Sequence, residues 1–370
     1  KFQIFQRTLL DFNGTAMINY MKKLAYFLIL LSFLFSSCKS KKTLVVSPAY
    51  PVLAVDSLCP DTGGFISGLF APDHSQLKEL QRTQKQKKKQ QVKSASHNSP
   101  VPAGVAPGTL ITHSNISVSS VYKGIDRVVK YDFTHRDVPE AFDGFRIAFI
   151  SDLHYKSLFK EKDLDGLVRL LIAQQADILL MGGDYQEGCE YMPELFAALA
   201  KVKTPMGTYG VMGNNDYERC HEDIIREMKR YGMHVLEHKV DTLRKNGQQI
   251  LIAGVRNPFD LKQNGKCPTL GLAPEDFVIL LVHTPDYIED VSVANTDLAL
   301  AGHTHGGQVR IFGYAPIIPS HYGSRFLTGL KYNTAKIPMI VTNGIGTSNK
   351  NIRIGAPSEI VIITLYRLKQ

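Results

Sequence analysis

Five short runs in the last two-thirds of this chain contain side chains that bind hard metal ions. In chain order they are Asp152-Leu153-His154, Gly182-Gly183-Asp184, Gly213-Asn214-Asn215-Asp216, His283 and Gly302-His303-Thr304-His305. As candidate ligands they supply two carboxylates, one carboxamide and four imidazoles, without any cysteine. This set of oxygen and nitrogen donors suits Mn, Fe or Zn better than Ca or a metal that prefers thiolates. We therefore expect two adjacent divalent metal ions to bind at these residues.

Each run follows an apolar segment that predicts a buried strand. The segments span residues 146–151, 177–181, 208–212, 277–282 and 298–301, and a glycine or a polar ligand residue follows each one. Apolar segments of this length predict strands rather than amphipathic helices. Polar side chains at the ends of such strands meet along one edge of a sheet, where α/β folds place their ligands. The pattern therefore predicts that the five runs come together in space.

Taken singly, each run has an ordinary structural explanation. An Asp-x-His pair is common, and a Gly-Asp pair after a strand is usually a turn. A single histidine such as His283 is more often a hydrogen-bonded core residue than a ligand. The occurrence of all five runs, each after a predicted strand, favours the metal site.

At these runs the chain resembles the calcineurin-like metallophosphoesterases, whose pattern is D-x-H, G-D, G-N-H-[DE], H and G-H-x-H. The resemblance covers roughly residues 120–370. It implies a hydrolase of phosphoric ester or diphosphate bonds in which Asp184 bridges two metal ions. The implied ligands of the first ion are Asp152, His154, Asp184 and His305, and those of the second are Asp184, Asn214, His283 and His303.

The residues around the histidine pair resemble one membrane-associated branch of that family. The resemblance includes residues 300–308, 343–348 and 352–357. This branch contains cell-envelope phosphoesterases and a UDP-2,3-diacylglucosamine hydrolase of lipid A synthesis. The resemblance implies a substrate that is a phosphorylated lipid or a nucleotide-linked envelope precursor.

The chain departs from the family pattern at Asn215. The resemblance implies a histidine here that contacts the phosphate and helps to protonate the leaving oxygen, supported by the acid that is present as Asp216. An amide can donate a hydrogen bond but cannot supply a proton near neutral pH. His221, six positions further on, is a candidate substitute, and the alternative is a solvated residue at the start of a helix. Poor leaving groups should suffer most, since general acid catalysis contributes about 10²–10⁴-fold.

The expected chemistry follows from the pair of ions. Two cations about 3.5–4 Å apart lower the pKa of a bridging water, so a hydroxide is available at neutral pH for in-line attack on phosphorus. The ions also neutralise the charge that develops on the non-bridging oxygens. Arg256, after a predicted strand at residues 249–253, is a candidate phosphate ligand, and the alternative is a surface arginine without a substrate role.

The amino-terminal region predicts export and anchoring. Met21-Lys22-Lys23 precedes an apolar stretch of 12 residues at positions 24–35 and then Ser36-Ser37-Cys38, which is typical of a secretory signal. A spanning helix would need about 20 apolar residues. Residues 34–38 resemble a bacterial lipobox, which implies a lipidated Cys38; the alternatives are an ordinary signal and an uncleaved anchor. Residues 1–20 are interpreted as upstream sequence, with the start at Met21 or Met17.

Residues 39–115 predict a flexible tether between the signal at 21–38 and a catalytic domain at 116–370. A lysine- and glutamine-rich run at 85–91 and a Ser/Pro/Ala/Gly-rich stretch at 94–108 cannot bury enough apolar surface to fold. The basic residues of the tether either keep it solvated or attract anionic lipid headgroups. The attraction contributes about 1 kcal/mol per basic residue close to the membrane. Despite a net charge of +9, no nucleic-acid recognition module is found. We expect a membrane-anchored lipoprotein of the bacterial envelope, outside the cytoplasm, and the sequence predicts no oligomeric state.

The fold class expected for the domain is α/β, an α+β sandwich of about 250 residues. Helices are predicted at residues 163–174, 192–201 and 222–231, between the early strands. Further strands are predicted at 241–245, 249–253, 308–312, 339–342 and 359–366, and residues 131–145 are predicted to supply an edge strand and the approach to the first central strand. The resemblance implies two facing mixed sheets flanked by helices in four layers. Cys189 and Cys220 each follow a ligand run, and two unpaired thiols are expected in preference to a disulfide.

Three functions are consistent with these patterns. The favoured function is an envelope-tethered phosphodiesterase or pyrophosphatase with two metal ions. The alternatives are a broad-range phosphomonoesterase and a non-catalytic protein-binding scaffold. Asn215 disfavours the monoesterase, and the complete ligand set disfavours the scaffold. Export through Cys38 also counts against a role in lipid A synthesis, because UDP-linked precursors are cytoplasmic.

Overall fold

The computed structural model describes residues 97–98, 105, 109–256 and 266–369. The predicted leader at 1–20, the signal at 21–38 with Cys38, and most of the tether at 39–115 lie outside these residues. Among the described residues, no helix combines the length and the apolar character that a membrane crossing requires.

The described chain is built from strands with a smaller number of helices between them. The strands are β1 (His97–Asn98), β2 (Leu110–Ser117), β3 (Arg127–His135), β4 (Arg146–Ile150), β5 (Ile178–Met181), β6 (Thr208–Gly210), β7 (His234–Val235), β8 (Lys239–Lys245), β9 (Gln248–Gly254), β10 (Val278–Leu281), β11 (Leu298–Ala301), β12 (Gly329–Tyr332), β13 (Pro338–Val341) and β14 (Glu359–Arg367). The α-helices are α1 (Glu161–Gln174), α2 (Met192–Leu199), α3 (Asn214–Arg219), α4 (His221–Arg230) and α5 (Tyr287–Asp290). Single 3₁₀ turns occur at Glu140–Phe142, Cys189–Tyr191, Pro268–Gly271, His305–Gly307 and Gly323–Phe326.

The strands form two mixed sheets. The first has the order β1-β2-β3-β14-β4-β5-β6-β7, and the second has the order β12-β13-β11-β10-β9-β8. Strands β4, β5 and β6 are parallel, so their carboxyl ends lie at one edge of the first sheet. Strands β9, β10, β11 and β13 are likewise parallel in the second sheet. Each sheet therefore presents a row of strand ends from which ligand loops can begin.

The two sheets face each other across an apolar core, and helices cover their outer faces. Along β4, Ile147 and Phe149 belong to the cluster between the sheets, whereas Ala148 and Ile150 pack in the cluster that contains residues of α1, α2 and α4. Burial of one phenylalanine side chain such as Phe149 contributes roughly 1.5–3 kcal/mol. Outside the second sheet, α5 contributes residues such as Tyr287 to a third cluster. This arrangement of helix, sheet, sheet and helix confirms the predicted fold class.

The strands that lead into the five ligand runs are confirmed to within two residues at each end, as β4, β5, β6, β10 and β11. The predicted helices correspond to α1, α2 and α4. The prediction of a strand at 308–312 was wrong. Gln308 and Phe312 have positive φ angles of 50° and 52°, and the segment forms only isolated bridges. Its alternating side chains resemble a strand, but the backbone turns at both ends.

Two further expectations are corrected at the start of the domain. Strand β3 pairs with β2 on one side and with β14 on the other, so it is an interior strand, although residues 131–145 were expected to supply an edge. Strand β2 begins at Leu110 and pairs with β3 over its whole length, so the folded domain begins before residue 116. The polar run from Thr112 to Asn115 concealed this strand, because Ile111 is its one buried apolar residue.

A disulfide joins Cys189 and Cys220, with 5.2 Å between their Cα atoms. The expectation of two unpaired thiols was therefore wrong. Cys189 begins the 3₁₀ turn before α2, and Cys220 lies between α3 and α4. The bond links two segments that each follow a ligand run, and their closeness depends on how β5 and β6 pair rather than on sequence spacing.

Reduction of this disulfide should destabilise the protein. A closed loop of 31 residues is expected to contribute roughly 3–4 kcal/mol to the free energy of unfolding. Urea unfolding of the wild type with and without reductant measures the loss, and the Cys189→Ser/Cys220→Ser double variant should show no effect of reductant. Recovery of both cysteines as free thiols in a non-reducing peptide map would contradict the pairing.

Candidate metal centre

The ligand runs meet because the loops after neighbouring strands stay hydrogen-bonded beyond the strand ends. The Asp152 amide donates to the Gly183 carbonyl at 2.9 Å, and the His154 amide donates to the Asp184 carbonyl at 3.0 Å. These bonds set the loop after β4 beside the loop after β5. The second sheet contributes its ligand residues from the loops after β10 and β11.

One group of side chains consists of Asp152, His154 and His305. Their donor atoms lie within 4.8 Å of one another, and all three residues are buried. His305 Nε2 is 3.4 Å from Asp152 Oδ1. Both carboxylate oxygens of Asp152 also lie 3.0 Å from the His303 amide, which fixes their orientation.

A second group consists of Asp184, His283 and His303, whose donor atoms also lie within 4.8 Å of one another. His283 Nε2 is 3.1 Å from His303 Nδ1 and 3.2 Å from Asn214 Oδ1. The structure thus brings all seven predicted ligands into two adjoining groups. Their function as ligands remains a prediction.

Asp184 lies between the two groups. Its Oδ2 is 3.4 Å from His154 Nε2 in one direction and 3.3 Å from His283 Nε2 in the other. A single carboxylate oxygen therefore contacts an imidazole from each group, which is the position that a bridging ligand requires.

The separations between donor atoms fit ions held between them. Donor atoms bound to one ion at about 2.0–2.2 Å with near-tetrahedral or right-angle geometry lie roughly 3–3.5 Å apart. The contacts in both groups fall in this range, from 3.1 to 3.4 Å. His154 Nε2 is also buried without a hydrogen-bond partner, and such a buried polar atom is costly unless something binds to it.

The electrostatics of the site favour cations. Burial alone would lower the pKa of His154, but its contacts with Asp184 and Glu187 outweigh burial and raise that pKa to about 10. Burial likewise opposes ionisation of Asp184, yet His283 and His154 hold its pKa well below the usual value. Burial lowers the pKa of His303 to about 3 and that of His305 well below its usual value, so both imidazoles are neutral, as metal ligands must be.

The backbone is unusual at five of the seven predicted ligands. These residues have positive φ angles between 37° and 69°, and they are Asp152, His154, Asp184, His303 and His305. Residues other than glycine rarely adopt this left-handed region. Each such residue costs on the order of 1–3 kcal/mol, and such strain concentrates at functional sites. The fold therefore maintains a strained backbone where the ligands converge.

Two glycines make room for the carboxylates. A Cβ atom at Gly213 would overlap Asp184 Oδ1, and a Cβ atom at Gly302 would overlap Asp152 Oδ2. Only glycine lets these loops approach so closely. The glycines of the G-N and G-H runs are thus required by the packing of the site.

Hydrogen bonds orient two of the histidines. His154 Nδ1 donates to Glu187 Oε1 at 2.7 Å, and His283 Nδ1 donates to the Gly182 carbonyl at 2.8 Å. In both rings this directs Nε2 at Asp184, where a bound cation would replace the Nε2 proton. Such partners of ligand histidines typically contribute 10–100-fold to metal affinity.

Glu187 and Arg353 were not recognised from the sequence. An acidic residue three positions after Asp184 was the available signal for Glu187. Arg353 Nη2 donates to the carbonyls of Gly346 and Asn343 at 2.6 and 3.0 Å and lies 3.4 Å from His305 Nδ1. Since its contact with the site is to His305, 48 residues away in sequence, spacing could not identify this arginine as a residue that supports the site.

Asn215 lies beside the metal-binding groups. Its amide N–H donates to Asp184 Oδ1 at 3.0 Å, and its side-chain Nδ2 is 3.4 Å from His154 Nδ1. Its Oδ1 accepts a hydrogen bond from Asn214 Nδ2 at 3.0 Å. Asn215 also lines the cleft next to Asp184.

Asp216 has a positioning role. It is fully buried and accepts hydrogen bonds from the backbone amides of Asp184, Tyr185 and Gly213, at 2.8, 2.9 and 2.8 Å. All three bonds hold the loop that carries the central carboxylate. Asp216 was expected to support the catalytic residue at position 215, and the structure instead directs it to the backbone around Asp184.

His221 and Arg256 lie apart from the predicted ligands. His221 begins α4, where its Nε2 is 2.7 Å from Glu237 Oε1 and its ring stacks on Tyr217. Arg256 is exposed, and its amide donates to His238 Nδ1 at 3.4 Å. Among the described residues, neither side chain lines the cleft that contains Asp184. The structure therefore does not support their predicted catalytic roles.

The metal-binding groups open into a cleft of about 490 Å³. Its polar lining includes Asp184, Asn214, Asn215, His303 and His305. Its apolar lining includes Val309, Ile317 and Ile352, and Lys350 also lines it. The cleft therefore combines the predicted metal ligands with apolar surface.

Replacement of Asp184 by alanine should remove most of the bound metal. The wild type should retain about two ions per chain after dialysis against Mn²⁺, and Asp184→Ala should retain fewer than about one, because the oxygen shared by both groups is lost. Elemental analysis of metal per chain gives the result.

Asp137 provides the matched control for this variant. With His135 and Asp297 it forms a third group of side chains that could hold a metal, at a different place in the fold. Asp137→Asn should keep the full metal content. A full content in Asp184→Ala, or an equal loss in both variants, would refute the bridging assignment.

Comparison with known proteins gives consistent results. The family profile described as calcineurin-like phosphoesterase matches residues 145–307. The metallophosphoesterase YkuE of Bacillus subtilis (strain 168) is 29% identical over 62% of this chain and 81% of its own length. YpbG of the same organism is 30% identical over 59% of this chain and 80% of its own length.

A third relative is named as an enzyme of narrower class. The phosphodiesterase YaeI of Escherichia coli (strain K12) is 27% identical, over 60% of this chain and 82% of its own length. The profile match spans all five ligand runs, from Asp152 to His305. The chain therefore belongs to the calcineurin-like metallophosphoesterase family, the metal-dependent hydrolases of phosphoesters.

Proposed function

We propose that this protein is a phosphodiesterase or pyrophosphatase that uses two divalent metal ions and acts on a phosphorylated lipid or a nucleotide-linked envelope precursor. The proposal rests on the amide of Asn215, which lies beside His154 and Asp184. Among the described residues that line the cleft, the only imidazoles are those of the predicted ligands His303 and His305.

The seven predicted ligands would hold the ions in two sites. Asp152, His154 and His305 would hold one ion, and Asn214, His283 and His303 would hold the other, with Asp184 shared. When bound, two adjacent divalent cations supply an activated water at neutral pH and neutralise charge on phosphoryl oxygens. Mn, Fe or Zn suits the oxygen and nitrogen donors present.

The side chains around the ligands keep them ready for binding. Glu187 and the Gly182 carbonyl hold His154 and His283 with Nε2 directed at Asp184. Asp216 accepts hydrogen bonds from the backbone amides of Asp184 and Gly213 and so holds the loop of Asp184 in place. Little reorganisation is then needed when the ions and the substrate bind, which is the main source of electrostatic catalysis.

Asn215 determines which leaving groups are suitable. Its Nδ2–H can donate a hydrogen bond to a phosphoryl oxygen, but an amide gives up no proton near neutral pH. The remaining polar side chains of the cleft are those of Glu218, Thr304, Gln308, Ser348, Asn349 and Lys350. Leaving groups that depart as stable anions, such as a nucleotide or a phosphate, need no general acid. A diphosphate, or a phosphodiester whose leaving group is a stable anion, therefore suits this site better than an ester that expels an alkoxide.

The envelope location rests on the sequence at residues 21–38. The lipobox-like residues 34–38 support a lipidated Cys38 and a site on the outer side of the membrane. The apolar lining of the cleft, with Val309, Ile317 and Ile352, supports a substrate with a lipid portion. The name of the Escherichia coli relative YaeI, a phosphodiesterase, supports the diester specificity.

Assays with model esters test the proposal. With Mn²⁺ or Zn²⁺ added, the full chain should hydrolyse bis-p-nitrophenyl phosphate with a higher kcat/KM than p-nitrophenyl phosphate, and an alkyl monoester such as glycerol phosphate should be the poorest substrate. Asn215→His should raise kcat/KM for the alkyl monoester by roughly 10²-fold, because an imidazole can donate the proton that the leaving oxygen needs.

A matched variant separates this effect from the mere presence of an imidazole in the cleft. Asn349 also lines the cleft, so Asn349→His should leave the rates on all three esters near those of the wild type. Equal wild-type turnover of the diester and the monoester would count against the diesterase. An unchanged monoester rate in Asn215→His would reject the role assigned to Asn215.

A further inference from the structure

A group of exposed apolar side chains flanks the metal cleft. The described residues include 12 large apolar residues that are exposed, and half of them lie in two short segments. We call these six the apolar rim: Ile311, Phe312, Tyr314, Ile317, Ile352 and Ile354. Ile317 and Ile352 also line the cleft with His303 and His305, so the rim and the metal centre share a boundary.

Phe312 is the most unusual residue of the rim. Its side chain is fully exposed, and its φ angle is 52°, followed by a φ of 86° at Gly313. Ile311 and Tyr314 exchange backbone hydrogen bonds of 2.9 and 3.0 Å, which makes 311–314 a tight two-residue turn. Positive φ at both central positions is the pattern of a type I′ turn, where asparagine, aspartate and glycine are preferred. A bulky residue there is an outlier.

The turn is fixed in place rather than loose. The Arg310 amide donates to the Ile354 carbonyl at 2.7 Å, and the Ile354 amide donates to the Gln308 carbonyl at 2.9 Å. Gln308 Nε2 also donates to the carbonyls of Ser348 and Lys350, both at 3.0 Å. The two segments of the rim are therefore one hydrogen-bonded unit that projects Phe312 outward.

The chain segment that carries the rim is basic, and Glu218, from another part of the chain, also lines the cleft. Between residues 298 and 358 the chain contains no aspartate or glutamate, while it carries Arg310, Arg325, Lys331, Lys336, Lys350 and Arg353. Arg325 pairs with Glu289, whereas Lys350 is exposed at the mouth of the cleft. Burial and then the nearby charge of Arg310 lower the pKa of Lys331, so these two cations lie near each other. Such a surface complements an anionic one.

We propose that the apolar rim docks on the surface of an anionic phospholipid bilayer, with Phe312 and Ile317 entering the boundary between headgroups and acyl chains. A projecting apolar tip within a basic surface is suited to a soft, negatively charged layer, in which apolar side chains are buried while cations contact the headgroups. Docking would place the mouth of the cleft at the headgroup level. Resting on the proposed function, this names a membrane lipid whose headgroup contains a diphosphate, or a phosphodiester with a stable leaving anion, as the substrate class.

The chain contains no tryptophan, so one introduced tryptophan reports on its own position alone. Phe312→Trp in the full chain should show emission at shorter wavelengths on addition of vesicles of phosphatidylcholine with phosphatidylglycerol. Acrylamide quenching should fall roughly two-fold or more, because the ring leaves water. Vesicles of phosphatidylcholine alone, or high salt, should give a clearly smaller change.

Val121→Trp is the matched control, since Val121 is an exposed apolar residue that is 69% accessible and lies outside the rim. An anchor at residues 24–38 could bring the whole chain to the vesicles, but it would leave position 121 in water. A blue shift at 312 and none at 121 supports docking by the rim. Two unshifted tryptophans, equal shifts at both positions, or equal shifts with neutral and anionic vesicles would overturn the proposal.

The measurement needs neither metal nor substrate. The shift at position 312 should persist in EDTA, since the rim contains no predicted ligand. A protein that hydrolyses diesters without the shift would disprove the docking and leave the phosphodiesterase standing. A protein that shows the shift but lacks hydrolysis would disprove the phosphodiesterase and leave the docking standing.

Discussion

The carboxylate of Asp184 holds the site together. One of its oxygens lies 3.4 Å from a nitrogen of His154, which follows a strand of the first sheet, and 3.3 Å from a nitrogen of His283, which follows a strand of the second, so it joins the two groups of side chains. Asp184 has a strained backbone, and hydrogen bonds from three backbone amides to Asp216 hold the loop around it. Gly213 has no side chain, which leaves room for the Asp184 carboxylate. Without this carboxylate the two groups would lose the negative charge that they share.

The site depends on the packing of two sheets. Asp152, Asp184 and Asn214 follow strands of the first sheet, whereas His283 and the pair His303 and His305 follow strands of the second. The apolar cluster between the sheets sets the distance between these loops. Burial of that core can offset several strained backbone residues, each of which costs on the order of 1–3 kcal/mol. The fold thus maintains ligand positions that local sequence preferences alone would not favour.

Much of this site could be predicted because strand ends are visible in a sequence. Apolar segments that stop at glycine or at a ligand residue gave the positions of β4, β5, β6, β10 and β11, and hence the place where their loops meet. The supporting residues were harder to recognise. Arg353 contacts carbonyls of residues 343, 346 and 356, and the pairing of Cys189 with Cys220 depends on two loops that come together only in the folded chain.

At residues 308–312 the sequence predicted a strand that the structure does not contain. Its residues alternate as in a strand, but Gln308 and Phe312 adopt positive φ angles that end any regular pairing. Local pattern and structure disagree at the same place where an exposed phenylalanine occupies a turn position that suits glycine or asparagine. Such disagreements are expected where a sequence serves binding rather than folding. The ligand residues also have a left-handed backbone, which Asp and His adopt more often than most residues other than glycine but which their sequence alone does not predict.

The central claim is that Asp184 lies between two metal ions, and anomalous diffraction from crystals grown with Mn²⁺ tests it most directly. The account predicts two peaks, each within about 2.0–2.3 Å of the Asp184 carboxylate, one beside His154 and His305 and the other beside His283 and His303. A single peak, or density that does not contact Asp184, would contradict the account.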